Sequence, residues 1–333
     1  MEKNPGMETE AAGQTLQENA LERLRKLIVR RQEGQKRRRL HVIINPAAGR
    51  DEPILKTMNT AMQEADIDWD VFLTKQAGDA HRLAQEAVRA GVDAVAVYGG
   101  DGTVMEVASG LMGSGIPLAI IPGGTANVMA AEVGIPGDLI SSCALAVHPS
   151  PYVREVDMGR IGDRYFLLRV GMGLEAAMVE GADRELKDRL GVFAYGLSAL
   201  QALSNPPAAH YRLRLDGEEV EAEGLTCIIA NSGAVGLRSI SLAPNISVSD
   251  GLLDVIILRN ADVGALLSVA ASMASGNENR ENLLRWQARH IEVEADPPQT
   301  VQADGEILGT TPITVEVVPA AVHMIAPEPQ QNP

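Results

Sequence analysis

From residue 40 onward, apolar and polar positions fall into alternating blocks. "LHVII" is a short continuous apolar run that predicts a buried strand at Leu40 to Ile44. A helical pattern follows over about 52–65, then a strand at "WDVFLT" and a helix at "GDAHRLAQEAVRAG" that stops at Gly91. "DAVAVYGG", "TVMEVASGLMGSG", "PLAIIPGG" and "TANVMAAEVG" continue the series as strand, helix, strand, helix. The strands are unbroken apolar runs, as expected where both faces of a sheet are covered. Short connections and strand–helix alternation therefore predict a mostly parallel sheet between helices.

Near residue 150 the pattern changes to period two. "VREVDMGRIGDRYFLLRVGMG", "HYRLRLDGEEVEAEGLTCIIANS", "ISVSDGLLDVIILRN", "HIEVEADPPQTVQADGEIL" and "PITVEVVPAAVHMIA" read as antiparallel strands with Asp-Gly turns. Helical stretches are expected over about 175–204 and 261–286. The predicted fold class is thus α/β: an N-terminal α/β domain with a parallel sheet, and a second domain of antiparallel strands. The expected boundaries are a basic extension over 1–38, disordered or an amphipathic helix, then the α/β domain over 39–148. The β-rich domain spans 149–311, a segment over 312–326 is read as returning to the first domain, and 327–333 is a disordered tail.

Charge adds one feature to this picture. The chain of 333 residues has a net charge of -15, yet residues 21–40 hold nine basic and two acidic residues. The acidic remainder should repel nucleic acid, which excludes a general nucleic-acid role. Leu21, Leu24, Leu27 and Ile28 form an apolar stripe among the arginines. Several readings follow for residues 21–39: a helix packed on the body or a solvated tail, a peripheral anchor on anionic membrane, or a contact for protein partners. Cys143 and Cys227 are the only cysteines, which argues against structural zinc or a disulfide framework. The first residues lack a secretory pattern and no apolar stretch reaches membrane-spanning length, so a cytoplasmic setting is expected. Oligomeric state stays open.

Three predicted strands end in glycine-rich loops: "NPAAG" at 45–49, "GGDGT" at 99–103 and "PGGTAN" at 122–127. In a parallel sheet, these loops share the carboxyl edge where ligands bind. Glycines permit close backbone approach, and consecutive amides can face phosphate oxygens. Gly99, Gly100 and Gly102 suit that role, with Thr103, Asn45 and Gly49 holding other parts of a nucleotide. Asp101 is the one carboxylate there. It would handle magnesium or orient an acceptor hydroxyl, or else cap a helix N-terminus. Neither the P-loop pattern nor GxGxxG spacing is present.

These stretches, "NPAAG", "GGDGTVMEVASGL" and "IPGGTANVMAAEVGIP", resemble the diacylglycerol kinase catalytic-domain family, and within it the bacterial lipid kinases. "VGMGLEAAMVE", "LKDRLGVFAYGLSAL", "APNISVSDGLLDVIIL" and "QADGEIL" agree. The resemblance runs over about 40–326. It implies a β-sandwich-like second domain and an active site in the cleft between domains. It implies an ATP- and magnesium-dependent kinase acting on a diacylglycerol-like or related membrane lipid. ATP would contact Asn45, Pro46, Ala47, Ala48, Gly49, Thr74, Gly100, Asp101, Gly102, Thr103, Val104, Met105, Glu106 and Thr125. A magnesium ion would sit at Asp250, with the carbonyls of Leu252 and Ser247. Glu306 would be the general base, with Asp304 beside it and Asp101 organising the centre. A second Asp-Gly-Glu, Asp216 to Glu218, reads as an ordinary turn. Met105 and Ser109 depart from the family's common asparagines, and "TANVMAAEVG" lacks the aspartate and arginine of its common form. Two rivals remain: an NAD kinase or other small-molecule kinase sharing the GGDG loop, and a non-catalytic nucleotide- or lipid-binding regulator.

Overall fold

The computed structural model describes residues 18–34, 36–49, 52–173, 208–234, 242–259 and 283–329. The helix expected over 175–204 lies outside these residues. So does most of the one expected over 261–286.

After a helix over residues 18–27 (α1), the first lobe runs β1 (Arg39–Ile44), α2 (Ile54–Glu64), β2 (Asp68–Leu73), α3 (Asp79–Ala90) and β3 (Ala94–Gly99). It continues with α4 (Asp101–Leu111), β4 (Leu118–Pro122), α5 (Val128–Glu132) and α6 (Leu139–Ala146). Strands β2, β1, β3 and β4 lie side by side in that order, all parallel. Their side chains explain the unbroken apolar runs. Val95 and Val97 enter the core beneath α3, α4 and α5, whereas Ala94, Ala96 and Tyr98 enter the one beneath α1, α2 and α6. A strand buried on both faces has no polar alternation to show. Gly91 ends α3 in the left-handed conformation with φ 62°, where a Cβ is disfavoured.

The apolar stripe of α1 is used by the body. Leu21, Leu24 and Ile28 are buried in the second of those cores, while Leu27 stays exposed. The basic residues answer acidic ones below them. Arg25 and Arg30 pair with Glu64, Arg31 and Arg37 with Asp66, and Lys36 with Asp93. Of the readings for residues 21–39, the geometry carries the packed helix. Leu24→Ala should therefore cost about 2–5 kcal/mol of unfolding free energy in urea titrations, the range for a fully buried leucine. A cost typical of a surface site would mean that α1 is loosely held.

The remaining strands are β5 (Tyr152–Ile161), β6 (Arg164–Phe166), β7 (Arg169–Gly173), β8 (Ala209–Leu215), β9 (Glu218–Gly224) and β10 (Thr226–Ala230). Then follow β11 (Leu253–Leu258), β12 (Leu283–Ala288), β13 (His290–Asp296), β14 (Thr300–Ala303), β15 (Glu306–Thr310) and β16 (Ile313–Ala326). One sheet of six, ordered β12-β11-β10-β7-β14-β15, is wholly antiparallel. It packs over β13, β8 and part of β16 through a shared apolar core that includes Tyr211, Cys227, Val255, Ile291 and Val315. The fold is α/β with a second, antiparallel β domain. Residues 283–286, expected to be helical, belong instead to β12. The "LLRWQA" strand pairs with β11, and Arg285 meets the buried Asp254 at 2.6 Å. A run that short carries no period of its own, and its pairing partner decides.

The 14-residue strand β16 joins the two halves. Its first part pairs with β13, its Met324 lies parallel to Leu118 of β4, and β5 runs along it throughout. A bulge between Val318 and Val322 allows the change of partner. Asp157 fixes that bulge: its carboxylate accepts the amides of Ala320 at 2.8 Å and Gly251 at 2.7 Å.

Candidate functional site

Four neighbouring strand ends, those of β2, β1, β3 and β4, carry Thr74 and the three glycine loops along one edge. The chain leaves β1 for β2 on one side and returns to β3 on the other. The edge between β1 and β3 is thus a topological switch point, where open α/β sheets form a ligand crevice.

Loops one, two and three are built against each other. The Asn45 side chain donates to Thr103 Oγ1 at 2.9 Å and accepts the Ala47 amide at 3.0 Å. The Gly123 amide donates to the Gly99 carbonyl at 2.9 Å. Tyr98 lies beneath: a Cβ on Gly49, which has φ 112°, would come within 2.1 Å of its hydroxyl. A Cβ on Gly124 would stand 2.6 Å from Gly100 Cα, so loops two and three touch backbone to backbone. Asn127, at φ 47°, closes loop three by accepting the Gly124 amide and donating to its carbonyl. Gly102 differs from these, because a Cβ there meets nothing within 4 Å.

Asp101 opens α4 but does not cap it. Its carboxylate accepts the Met129 amide at 3.1 Å and lies beside that of Val128, so it caps α5 instead. Burial pushes its carboxyl above the usual range; these amides and the Arg169 guanidinium pull the other way. Glu106 spends both oxygens on the start of α3, accepting Gly78 N at 2.9 Å and Ala80 N at 3.0 Å. Val104 and Met105 pack into the apolar core. The side chains of these three positions are thus engaged within the protein, which leaves backbone and loop placement as what they can contribute to a ligand site. Thr74 is buried at the end of β2, with Pro46, Ala47 and Thr125 at the surface and Ala48 half-buried.

The second lobe brings the Asp-Gly-Glu hairpin. Asp304 and Gly305 both have positive φ, 46° and 91°, as a tight two-residue turn between β14 and β15 requires. The Asp304 carboxylate accepts three amides in a row, Leu167 at 2.8 Å and Leu168 and Arg169 at 3.0 Å. It staples the start of β7 and positions the turn. Glu306 is exposed, and its carboxylate accepts Arg164 Nη1 at 3.0 Å. The other Asp-Gly-Glu uses the same device elsewhere: Asp216 accepts the amides of Arg289 and His290. The two turns are chemically alike at the aspartate and differ in what surrounds the glutamate.

Burial pushes the Asp304 carboxyl up to about 6, against the three amides and Arg169. Its ordinary value is 3.8. The stability linked to this group is therefore present below its ordinary value and is lost as pH rises through the higher one. The stability of wild type relative to Asp304→Asn should fall by on the order of 1–3 kcal/mol between about pH 4 and about pH 7. Urea titrations of both proteins across that range measure it; a flat difference would mean an unshifted carboxyl.

Arg169 links the lobes. It acts electrostatically on both Asp101 and Asp304, and its Nη1 donates to the Ala234 carbonyl at 3.3 Å. Glu132, at the end of α5, accepts Ser232 Oγ at 2.7 Å and the Ala234 amide at 2.9 Å. Neither residue was picked out from the sequence. The available signal was a lone arginine inside the apolar run "FLLRVGM".

Ser247, Asp250 and Leu252 lie on the turn before β11. Asp250 is exposed, and one of its oxygens accepts the Leu252 amide at 3.0 Å. The groups named for magnesium, one carboxylate and two backbone carbonyls, are all oxygen, the ligand type a hard cation takes. Among the described residues, no group of three or more His, Cys, Asp or Glu is placed to share a metal. No helix of those residues is long and apolar enough to cross a membrane.

Comparison with known proteins matches both domains in order. Residues 39–161 match the diacylglycerol kinase catalytic domain, and residues 169–326 match the YegS C-terminal NAD kinase beta sandwich-like domain. A diacylglycerol kinase of Bacillus subtilis is 28% identical over 87% of this chain and 97% of its own. A probable YegS-like lipid kinase of Pseudomonas aeruginosa PAO1 is 34% identical over 87% of this chain and 95% of its own. The crystal structure of a diacylglycerol kinase from Bacillus anthracis Sterne superposes with a TM-score of 0.75 at 28% identity, covering 88% of this chain and 98% of that one. With both domains matched in order and the identities sustained over most of each chain, this protein belongs to the diacylglycerol kinase catalytic-domain family, among its YegS-like bacterial lipid kinases.

Proposed function

We propose that the protein transfers the γ-phosphoryl group of ATP to a hydroxyl of a diacylglycerol-like or related membrane lipid. The observation that carries this reading is the edge where four strand ends meet, with an Asp-Gly-Glu hairpin linked to α5, and so to Asp101, by hydrogen bonds through Arg169, Ala234 and Glu132.

In this reading the loops at 45–49, 99–103 and 122–127 hold the phosphates, since their glycines let backbone approach closely. Loop contacts to Thr74, Thr103 and Thr125 orient the nucleotide. Positioning and charge neutralisation dominate phosphoryl transfer, so a rigid cradle is the main requirement. Asp101 places a carboxylate beside the transferred group, partly neutralised by Arg169. Glu306 takes the proton from the lipid hydroxyl as the new O–P bond forms and the bond to ADP breaks. For that it leaves Arg164, an exchange that costs little at an exposed pair. Magnesium would be held by the Asp250 carboxylate with the Ser247 and Leu252 carbonyls, where it would brace the turn before β11.

The test offers the purified protein radiolabelled ATP with vesicles of total lipid extract and, in parallel, with NAD. Label in the organic extract, with a mass gain of one phosphate on a lipid, is expected. Label on NAD alone would select the small-molecule kinase reading. Tight ATP binding with no labelled product from any acceptor would select the non-catalytic one.

A further inference from the structure

The kinase reading needs two groups from different lobes to meet: Asp101 in the second glycine loop and Glu306 on the far hairpin. The chain of contacts between them is continuous. Asp101 holds the start of α5 through the Met129 amide. The last residue of α5, Glu132, holds Ser232 and Ala234 with a single oxygen. The Ala234 carbonyl accepts Arg169 Nη1. The Arg169 amide is held by Asp304, whose turn carries Glu306. Ser232 is itself fully buried, and its amide donates to the Leu168 carbonyl, one residue before Arg169.

We propose that Glu132 and Arg169 form a latch across the lobes that sets the position of Asp101 relative to the Asp304–Glu306 hairpin. Both are positioning residues. Glu132 works as a hydrogen-bond acceptor on a fixed helix end. Arg169 works through its backbone amide, held by Asp304, and its guanidinium, which holds the Ala234 carbonyl and whose charge acts on Asp101 and Asp304. The inference rests on the kinase reading for its activity assay, though the latch itself is a statement about geometry.

The acceptor role makes a sharp distinction between two substitutions. One oxygen of Glu132 takes both bonds, so a glutamine carbonyl can replace it. Glu132→Gln should keep kcat within about threefold, whereas Glu132→Ala should lose on the order of 10²-fold, the usual scale for a small misplacement of reacting groups. KM for ATP should change little in either, because the glycine loops lie wholly in the first lobe. Arg169→Gln should lower kcat similarly and move the acid limb of the kcat/KM profile to higher pH. Asp101 is acted on by the backbone amides of Val128, Met129 and its own residue and by the charge of Arg169. Removing the only cation of that set raises the carboxyl further, and Arg169→Lys should restore the limb.

Thermal unfolding of each variant separates lost stability from lost positioning. Hydrogen exchange at the Ala234 amide reads the latch without any turnover, and it should quicken in Glu132→Ala but not in Glu132→Gln. If wild type labels no lipid while exchange behaves so, the kinase reading fails and the latch stands. Wild-type kcat in Glu132→Ala, equal losses in the alanine and glutamine variants, or unchanged Ala234 exchange would each overturn the latch.

Discussion

Glu306→Gln should bind ATP as wild type does and transfer phosphate to lipid about 10²–10⁴-fold more slowly, the range for loss of a general base. The glutamate is exposed on a hairpin of the second lobe, with Arg164 as its partner, so the substitution removes no buried contact. Unfolding by heat should therefore be unchanged within the small range of surface substitutions. Asp101→Asn provides the companion measurement. An asparagine carbonyl can still accept the Met129 amide, so α5 stays capped while the charge beside the phosphates disappears. The measurement is label from ATP in extracted lipid, with ATP affinity by calorimetry as the control. Near-normal transfer by both variants would remove these two residues from the chemistry.

The second large effect separates two glycines that look alike in the sequence. Gly124→Ala sets a methyl 2.6 Å from Gly100 Cα, and backbone has no rotamer with which to yield. Loops two and three must move apart, so both stability and ATP affinity should drop, stability by about 1–3 kcal/mol as in other overpacked sites. Gly102→Ala adds a methyl to open space in the first turn of α4. Stability should hold or rise by up to about 1 kcal/mol, since alanine favours helix. If phosphate oxygens approach that backbone as proposed, ATP affinity should nonetheless fall at least tenfold. Calorimetric titration with ATP and urea unfolding of the two variants make the comparison. An Gly102→Ala protein with wild-type affinity would place the phosphates elsewhere.

Much of the fold was legible because it is written in local periods. The strand–helix series of the first lobe followed from continuous apolar runs, with Gly91 stopping α3 as expected. The antiparallel strands followed from alternation and from Asp-Gly turns, of which Asp216–Gly217 and Asp304–Gly305 have the required positive φ. The strand at 283–288 was not legible, because six residues with two polar ones fit either period until β11 lies beside them. The resemblance supplied Glu306 and the later Asp-Gly-Glu; pattern alone could not separate it from Asp216–Glu218.

By itself, then, the order of residues determined which strands are buried on both faces, where the glycine loops fall, and which family the chain belongs to. Each of these depends on neighbours in sequence, through helix and strand periods or turn conformations. Tertiary structure decided what the charged side chains do. Asp101 caps a helix other than its own, Glu106 holds the start of α3, and Asp304 is tied to three amides. The arginines of residues 21–39 answer acids on the body, and the charge of Arg169 acts on two carboxylates far away in the chain. Charge acts through space and burial, and neither is set until the lobes have packed.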